Sequence, residues 1–351
     1  MQSMNAELNW LKGILFSLTL LVATVGAVVP RSAGAAERIS SAVILMYHRF
    51  GEDGVPSTNI RLEQFEEHIK ELMSARYNVL ALTDIVEAFA QRRRLPENTV
   101  AITIDDAYIS TYTQALPRFR NAGLPFTVFV TTGPVDGGNA GYMSWAQLKE
   151  LANSGATIAN HTVSHLGMSS ADDETNRQEL SSAQQRITEQ IGIAPTLFAY
   201  PFGEYSRRTT ELVDEAGFAA AVGQHSGVAH ERANRLELPR FALNETYGDI
   251  GRFRLVVNAL PLPVSEVTPA DTLLREENPP PFGFTVDNQI DGLERLNCFA
   301  SNGPTTIERL GARRFEVRIA KPFPPGRGRF NCTLPARDGR FRWFGIQFVI
   351  P

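Results

Sequence analysis

The sequence has little charge imbalance: a formal net charge of -4 over 351 residues. A nucleic-acid partner is excluded on that ground, because phosphate binding needs a concentrated basic face. Cysteine is scarce, with Cys298 and Cys332 both in the C-terminal part and both preceded by Asn. They allow one disulfide or two buried thiols, and a disulfide closing that loop contributes roughly 3–4 kcal/mol in the chain-entropy model. Long apolar runs are scarce too. The run over 14–29 falls short of the roughly 20 residues that span a bilayer comfortably, and the small residues Ser32, Ala33, Gly34, Ala35 and Ala36 after it suit a signal-peptidase site. Residues 1–36 read as a signal peptide, which makes the mature chain exported, periplasmic or secreted. An uncleaved membrane anchor is the alternative, because Lys12 is opposed by Glu7 in a weak basic leader.

What is present is an alternation of apolar runs and amphipathic stretches. Runs at 42–47, 100–104, 126–130, 157–159, 196–200 and 218–222 read as strands. Helical spacing follows the first run at Leu62, Phe65, Ile69 and Leu72, and helices are expected near 109–121, 173–191 and 206–216. Ser144 and Gln147 fit a capping box that starts another helix, ending near Gly155. Repeated strand-helix units predict an α/β domain with a parallel sheet, barrel or open, over 37–260. Such folds carry functional loops at strand C-termini. Pro261, Pro263 and Pro269 then mark a linker at 261–272. Strict alternation in 314–319 and 340–343 predicts a small β-sandwich over 273–351. From residue 271 onward 12 Arg and Lys meet 9 Asp and Glu, giving +3 against -7 for the rest, so this part presents a solvated face or one that meets an anionic glycan.

Three predicted strand ends carry chemistry. Asp105 and Asp106 follow an apolar strand. His161 and His165 stand four residues apart, a spacing that on one helical turn points both imidazoles the same way. Two His and one carboxylate form a first shell for a divalent cation with open positions, and the second carboxylate is then free to act as a base. The third strand end, from Phe198 through Tyr200, Pro201, Phe202 and Gly203 to Glu204, offers backbone amides to an oxyanion. Of the remaining histidines, His68 reads as a solvated residue on a charged helix. His225 and His230 flank a loop. Tyr142 and Trp145 are sugar-stacking candidates, Trp145 more readily as packing.

Together, Thr103-Ile104-Asp105-Asp106, His161-Thr162-Val163-Ser164-His165 and Tyr200-Pro201-Phe202-Gly203 resemble the signature of the polysaccharide deacetylases of carbohydrate esterase family four, over about residues 40 to 245. Met46-Tyr47-His48 is most similar to the branch containing the biofilm poly-N-acetylglucosamine deacetylases, whose motifs are circularly permuted. The resemblance implies a distorted (β/α) barrel and an enzyme that removes N-acetyl groups from an N-acetylhexosamine polysaccharide at the cell envelope. It implies Asp105 as general base and His48 as general acid, although His48 without the resemblance reads more readily as a core histidine. Asp106, His161 and His165 become ligands of one divalent metal, Zn²⁺ by ligand type with Co²⁺ or Ni²⁺ as alternatives. Phe202, with Tyr200 and Pro201, becomes the oxyanion and substrate segment.

The chain departs from the family at several points. Ala199 stands where many members have an Arg that pairs with the base, Ala107 replaces the usual Gly after the Asp pair, and no segment matches the Trp-bearing hydrophobic motif. A non-catalytic glycan-binding or assembly protein on the same fold, and an amidase for another C–N amide, are the competing readings.

Overall fold

The computed structural model describes residues 39–351, which form one compact unit. The expected signal peptide at 1–36 lies outside the described residues. The N-terminal part is built on a parallel sheet whose strands run β1 (Ser41–Tyr47), β2 (Thr99–Asp105), β3 (Thr127–Val130), β4 (Thr157–Asn160), β5 (Leu197–Ala199) and β6 (Ala220–Val222), each paired with the next. Along each strand the side chains alternate between two apolar cores, as a pleated strand covered on both faces requires. Val43, Leu45, Tyr47, Val100, Ile102, Ile104, Val128, Val130 and Ile158 share the outer core. This core packs on α1 (Leu62–Leu72), α3 (Leu116–Ala122), α4 (Trp145–Asn153) and α7 (Ile250–Val257), the helix after α6 (Arg207–Glu215). Ala42, Ile44, Ala101, Phe129, Ala159, Ala199 and Val222 share the inner one, with Leu82, Ile85, Val86 and Ala88 of α2 (Leu82–Ala90). Four alanines on the inner face let the sheet curl tightly.

A single segment links the two edges of the curled sheet. Leu238 bridges Val222 of β6, and three residues later β7 (Phe241–Ala242) pairs in parallel with Leu45 and Met46 of β1. The stretch 238–242 therefore touches both ends of the sheet. The helices end where their sequences direct. Ser144 caps α4 by accepting the Gln147 N–H while Gln147 accepts the Ser144 N–H at 2.8 Å. Asp172 caps α5 (Asp173–Ile191), which stops at Gly192 in a left-handed conformation.

The C-terminal part is a sandwich of two four-stranded sheets. One contains β8 (Leu260–Pro261), β15 (Phe341–Ile350), β14 (Gly326–Pro335) and β11 (Asn297–Ala300). The other contains β9 (Val264–Thr268), β10 (Phe282–Val286), β13 (Arg314–Ile319) and β12 (Thr305–Leu310). Phe282, Phe284, Phe315, Phe330 and Phe348 fill the space between them. Cys298 and Cys332, directly opposite across β11 and β14, are joined by a disulfide. Residues 261–272 are not a linker. Pro261 pairs with Trp343, and Val264–Thr268 is an edge strand of the second sheet. Proline is compatible with both places because an edge position leaves its missing N–H unneeded.

Candidate active site

The alternation that sorts the cores also builds the site. In β2, Thr99, Ala101, Thr103 and Asp105 share the inner parity. In β1 the inner residues Ala42, Ile44 and Met46 lead to His48, and in β4 Ala159 leads to His161. Asp105, His48 and His161 thus converge above one mouth of the sheet because each continues an inward-facing row. Asp106 has the opposite parity. It joins them because the chain turns left-handed there, with φ of 75° at Asp106 and 66° at Ala107.

Asp106 Oδ1 lies 3.4 Å from Nε2 of both His161 and His165, and one ligand atom from each of the three falls within 4.8 Å of the others. The imidazoles meet at a centroid distance of 4.9 Å, but not on a helical turn as their spacing predicts. Residues 161–165 form a bend with φ of 66° at Thr162 and 59° at His165. Glu179 of α5 holds that bend. Its Oε2 accepts the N–H of Val163 and of Ser164, each at 2.8 Å, and its Oε1 accepts the Ser164 hydroxyl.

The donor set fits a cation. His161 Nδ1 sits 2.7 Å from the Ala199 carbonyl, which only accepts, so Nδ1 carries the hydrogen and Nε2 presents its lone pair. That Nε2 and Asp106 Oδ1 are buried without a hydrogen-bond partner. Two orphaned electron-pair donors facing each other are costly unless a positive charge joins them. Burial opposes ionisation of Asp106, but His161 and the other histidines outweigh it and hold the carboxyl well below the usual range. For His165, burial and then His161 push the pKa down, which keeps the ring neutral.

Asp105 is fully buried and ion-paired in both oxygens, to a residue that sequence reasoning missed. Arg240 donates NH1 to Oδ1 at 2.7 Å and NH2 to Oδ2 at 2.8 Å; NH1 also reaches Thr103 Oγ1, and Nε reaches the Gly223 carbonyl. Burial would raise the Asp105 carboxyl, but Arg240 more than offsets it and the pKa is lowered. The expectation that Ala199 leaves the base without an orienting partner is therefore corrected: the partner comes from the closing segment between Leu238 and β7. One signal was available, a lone cation inside the apolar run 238–243. His48 lies close by, Nε2 3.8 Å from Asp105 Oδ2, with its side chain 14% exposed.

The third motif divides by parity. Tyr200 has the parity of Phe198, so its ring packs outward against Phe198 and Tyr205, and its N–H donates to the Val222 carbonyl. It does not face the cleft, which corrects its assignment to the substrate segment. Pro201 is buried, lacks an N–H, and its carbonyl accepts the Glu204 N–H. Phe202 does face the cleft. It is 37% exposed, has φ of 59°, and sets its ring edge-on to His165 at 4.4 Å.

Five of the eight positive-φ non-glycine residues among those described are Asp106, Ala107, Thr162, His165 and Phe202. Each such conformation costs about 1 kcal/mol or more, and here all five surround one cleft. The position of Ala107 explains why Gly is usual there.

Other histidine expectations fare differently. His68 is not solvated: it is buried, accepts the Tyr47 hydroxyl, donates to Gly248 and stacks on Phe253. His225 is buried beside Tyr205, and His230 pairs with Ser41 at the start of β1, where no catalytic residue lies. Trp145 packs on the outer core and donates to Asp136. Tyr142 lies 4.8 Å from Tyr108, over which Arg49 stacks.

Residues 92–221 match the family model described as polysaccharide deacetylase. YxkH of Bacillus subtilis, whose name assigns it to the polysaccharide deacetylases, is 26% identical over 55% of this chain and 68% of its own. The poly-beta-1,6-N-acetyl-D-glucosamine N-deacetylase of Staphylococcus aureus is 22% identical over 59% of this chain and 80% of its own. Among solved structures, the Streptococcus pyogenes deacetylase PplD in complex with acetate superposes with a TM-score of 0.59 at 21% identity. The superposition covers 62% of this chain and 99% of that one, a likeness of fold. Curled sheet and convergent strand ends agree with the polysaccharide deacetylase family match, which spans residues 92–221 of the chain.

Proposed function

We propose that this chain is an exported, metal-dependent hydrolase that removes acetyl groups from an N-acetylhexosamine polysaccharide, with poly-β-1,6-N-acetylglucosamine as the first substrate to try. The observation that carries the reading is the meeting of two sets in one cleft: the Asp106, His161 and His165 donors, and an Arg-paired second aspartate beside them. The Staphylococcus aureus relative supports the choice of polymer. The apolar segment and small residues within 1–36 support export. Among the described residues no helix is long and apolar enough to cross a membrane.

A divalent cation on Asp106, His161 and His165 would polarise the amide carbonyl and acidify water. Asp105, ionised and held by Arg240, accepts the proton that water loses as its oxygen attacks the acetyl carbon. The Phe202 N–H, at the start of a turn where backbone amides lack internal acceptors, faces the oxygen that gains charge. His48 donates a proton to the amine nitrogen as the C–N bond breaks, leaving acetate and a free amine on the sugar. Arg240 also removes the main ground for a non-catalytic role, since the base does not lack its partner.

Asp105→Asn tests the reading. Acetate release from the polymer should fall by about 10²–10⁴-fold while divalent-metal affinity measured by calorimetry stays near wild type. Full activity in that variant would reassign the base.

A further inference from the structure

One strand of the sandwich, β15, runs along the catalytic rim and presents alternate residues to it. Trp343 packs edge-on against Phe241, next to Arg240, at 5.2 Å. Gly345 lies so close to the Ser226 backbone that a Cβ would meet its carbonyl oxygen at 2.2 Å. Gln347, 1% exposed, donates Nε2 to the Phe202 carbonyl at 3.1 Å. Residues 343, 345 and 347 share one parity, so the register of a single strand seats all three contacts.

The contact at Phe202 is reinforced. Arg329 Nε donates to Gln347 Oε1 at 2.8 Å and so fixes which end of the amide faces Phe202. Arg327, from the neighbouring β14, donates NH1 to the same carbonyl at 3.3 Å and stands 3.8 Å from Glu204. Phe202 needs such support. Its positive φ is unfavourable for a residue with a Cβ, and its ring touches His165. Within the barrel the turn is held by Gly203 donating to Tyr200 and Glu204 donating to Pro201. Those bonds define a turn but leave the Phe202 carbonyl to the sandwich.

We propose that Gln347, assisted by Arg327, is a positioning residue for Phe202, so that the C-terminal sandwich is a working part of the hydrolytic site. This rests on the reading of the Phe202 N–H as an oxyanion donor. An amide that must face a developing charge is useful only if it is fixed beforehand; Glu204 holds the Pro201 carbonyl of that peptide, and the sandwich holds the next peptide through the Phe202 carbonyl, so both planes that meet at the Phe202 Cα are fixed.

The test uses the full chain, loaded with divalent metal, on N-acetylglucosamine oligomers. Gln347→Leu should lower kcat about tenfold with KM and metal affinity within about twofold of wild type. Amide hydrogen exchange in the peptide covering 200–205 should quicken severalfold. Arg327→Met, at the rim, should lower kcat about threefold with no change in melting temperature. Should Gln347→Leu not melt cooperatively, Gln347→Glu, which keeps the bond to Arg329 but removes the donor to Phe202, carries the same expectation. Folded variants with wild-type kcat and wild-type exchange would overturn the role of Gln347, as would a loss traced to metal affinity. A wild-type chain that releases no acetate would instead refute the deacetylase reading.

Discussion

The pairing of Asp105 with Arg240 combines burial, charge and geometry in one contact. Both side chains are fully buried, so removing either leaves an uncompensated charge, which typically costs about 3–5 kcal/mol. Arg240→Met should lower chemical stability by that order in a denaturant titration. In the fraction that folds, only His161 and His48 then oppose the burial of Asp105, its pKa rises, and the acid limb of kcat/KM moves to higher pH. An unmoved limb would separate Arg240 from the base. His68 and His225 act on stability instead. Burial is the main cause that pushes each down to about 4 from an ordinary value near 6.5. The folded state keeps them neutral while the unfolded state takes up protons. Stability is therefore fully present above about pH 6.5 and is lost as pH falls toward 4, by up to about 3 kcal/mol for each ring. His68→Gln should flatten the melting-temperature curve between those pH values, and an unchanged slope would contradict the account of that ring.

At the scale of elements, the strands and α5 were legible because strong periodicity and caps coincide; Asp173–Ile191 and Arg314–Ile319 have the bounds that their patterns give. Strand parity was equally legible at Tyr200, since Phe198 before it is apolar and faces the helices. What the pattern could not carry was anything set by a turn or by closure. The His161–His165 bend depends on two positive-φ residues and on Glu179, eighteen residues after His161. Arg240 reaches Asp105 from 135 positions away through a segment with only a two-residue strand. His68 was misread because the charges flanking it face solvent while its own row faces α7. Glu179→Ala should leave the melting temperature within a few degrees and weaken metal binding about tenfold, as removal of a group that orients a ligand does. Unaltered affinity by calorimetry would show that the bend holds itself.

The whole molecule joins a curled sheet with a sandwich that also closes on its rim, through Trp343, Gly345 and Gln347. The prolines at 261–269 read as a linker because proline breaks regular structure, yet they edge two sheets, which is why the parts are coupled rather than tethered. All of this architecture serves one convergence, the three donors of Asp106, His161 and His165 with Asp105 beside them. The direct test of that convergence is acetate released from poly-β-1,6-N-acetylglucosamine by the purified chain, before chelation, after it, and after divalent metal is restored. Release, its loss on chelation, and its recovery by metal in the wild type but not in His161→Ala are the expected results. Release that persists through complete chelation, or recovers fully in His161→Ala, would contradict the convergence.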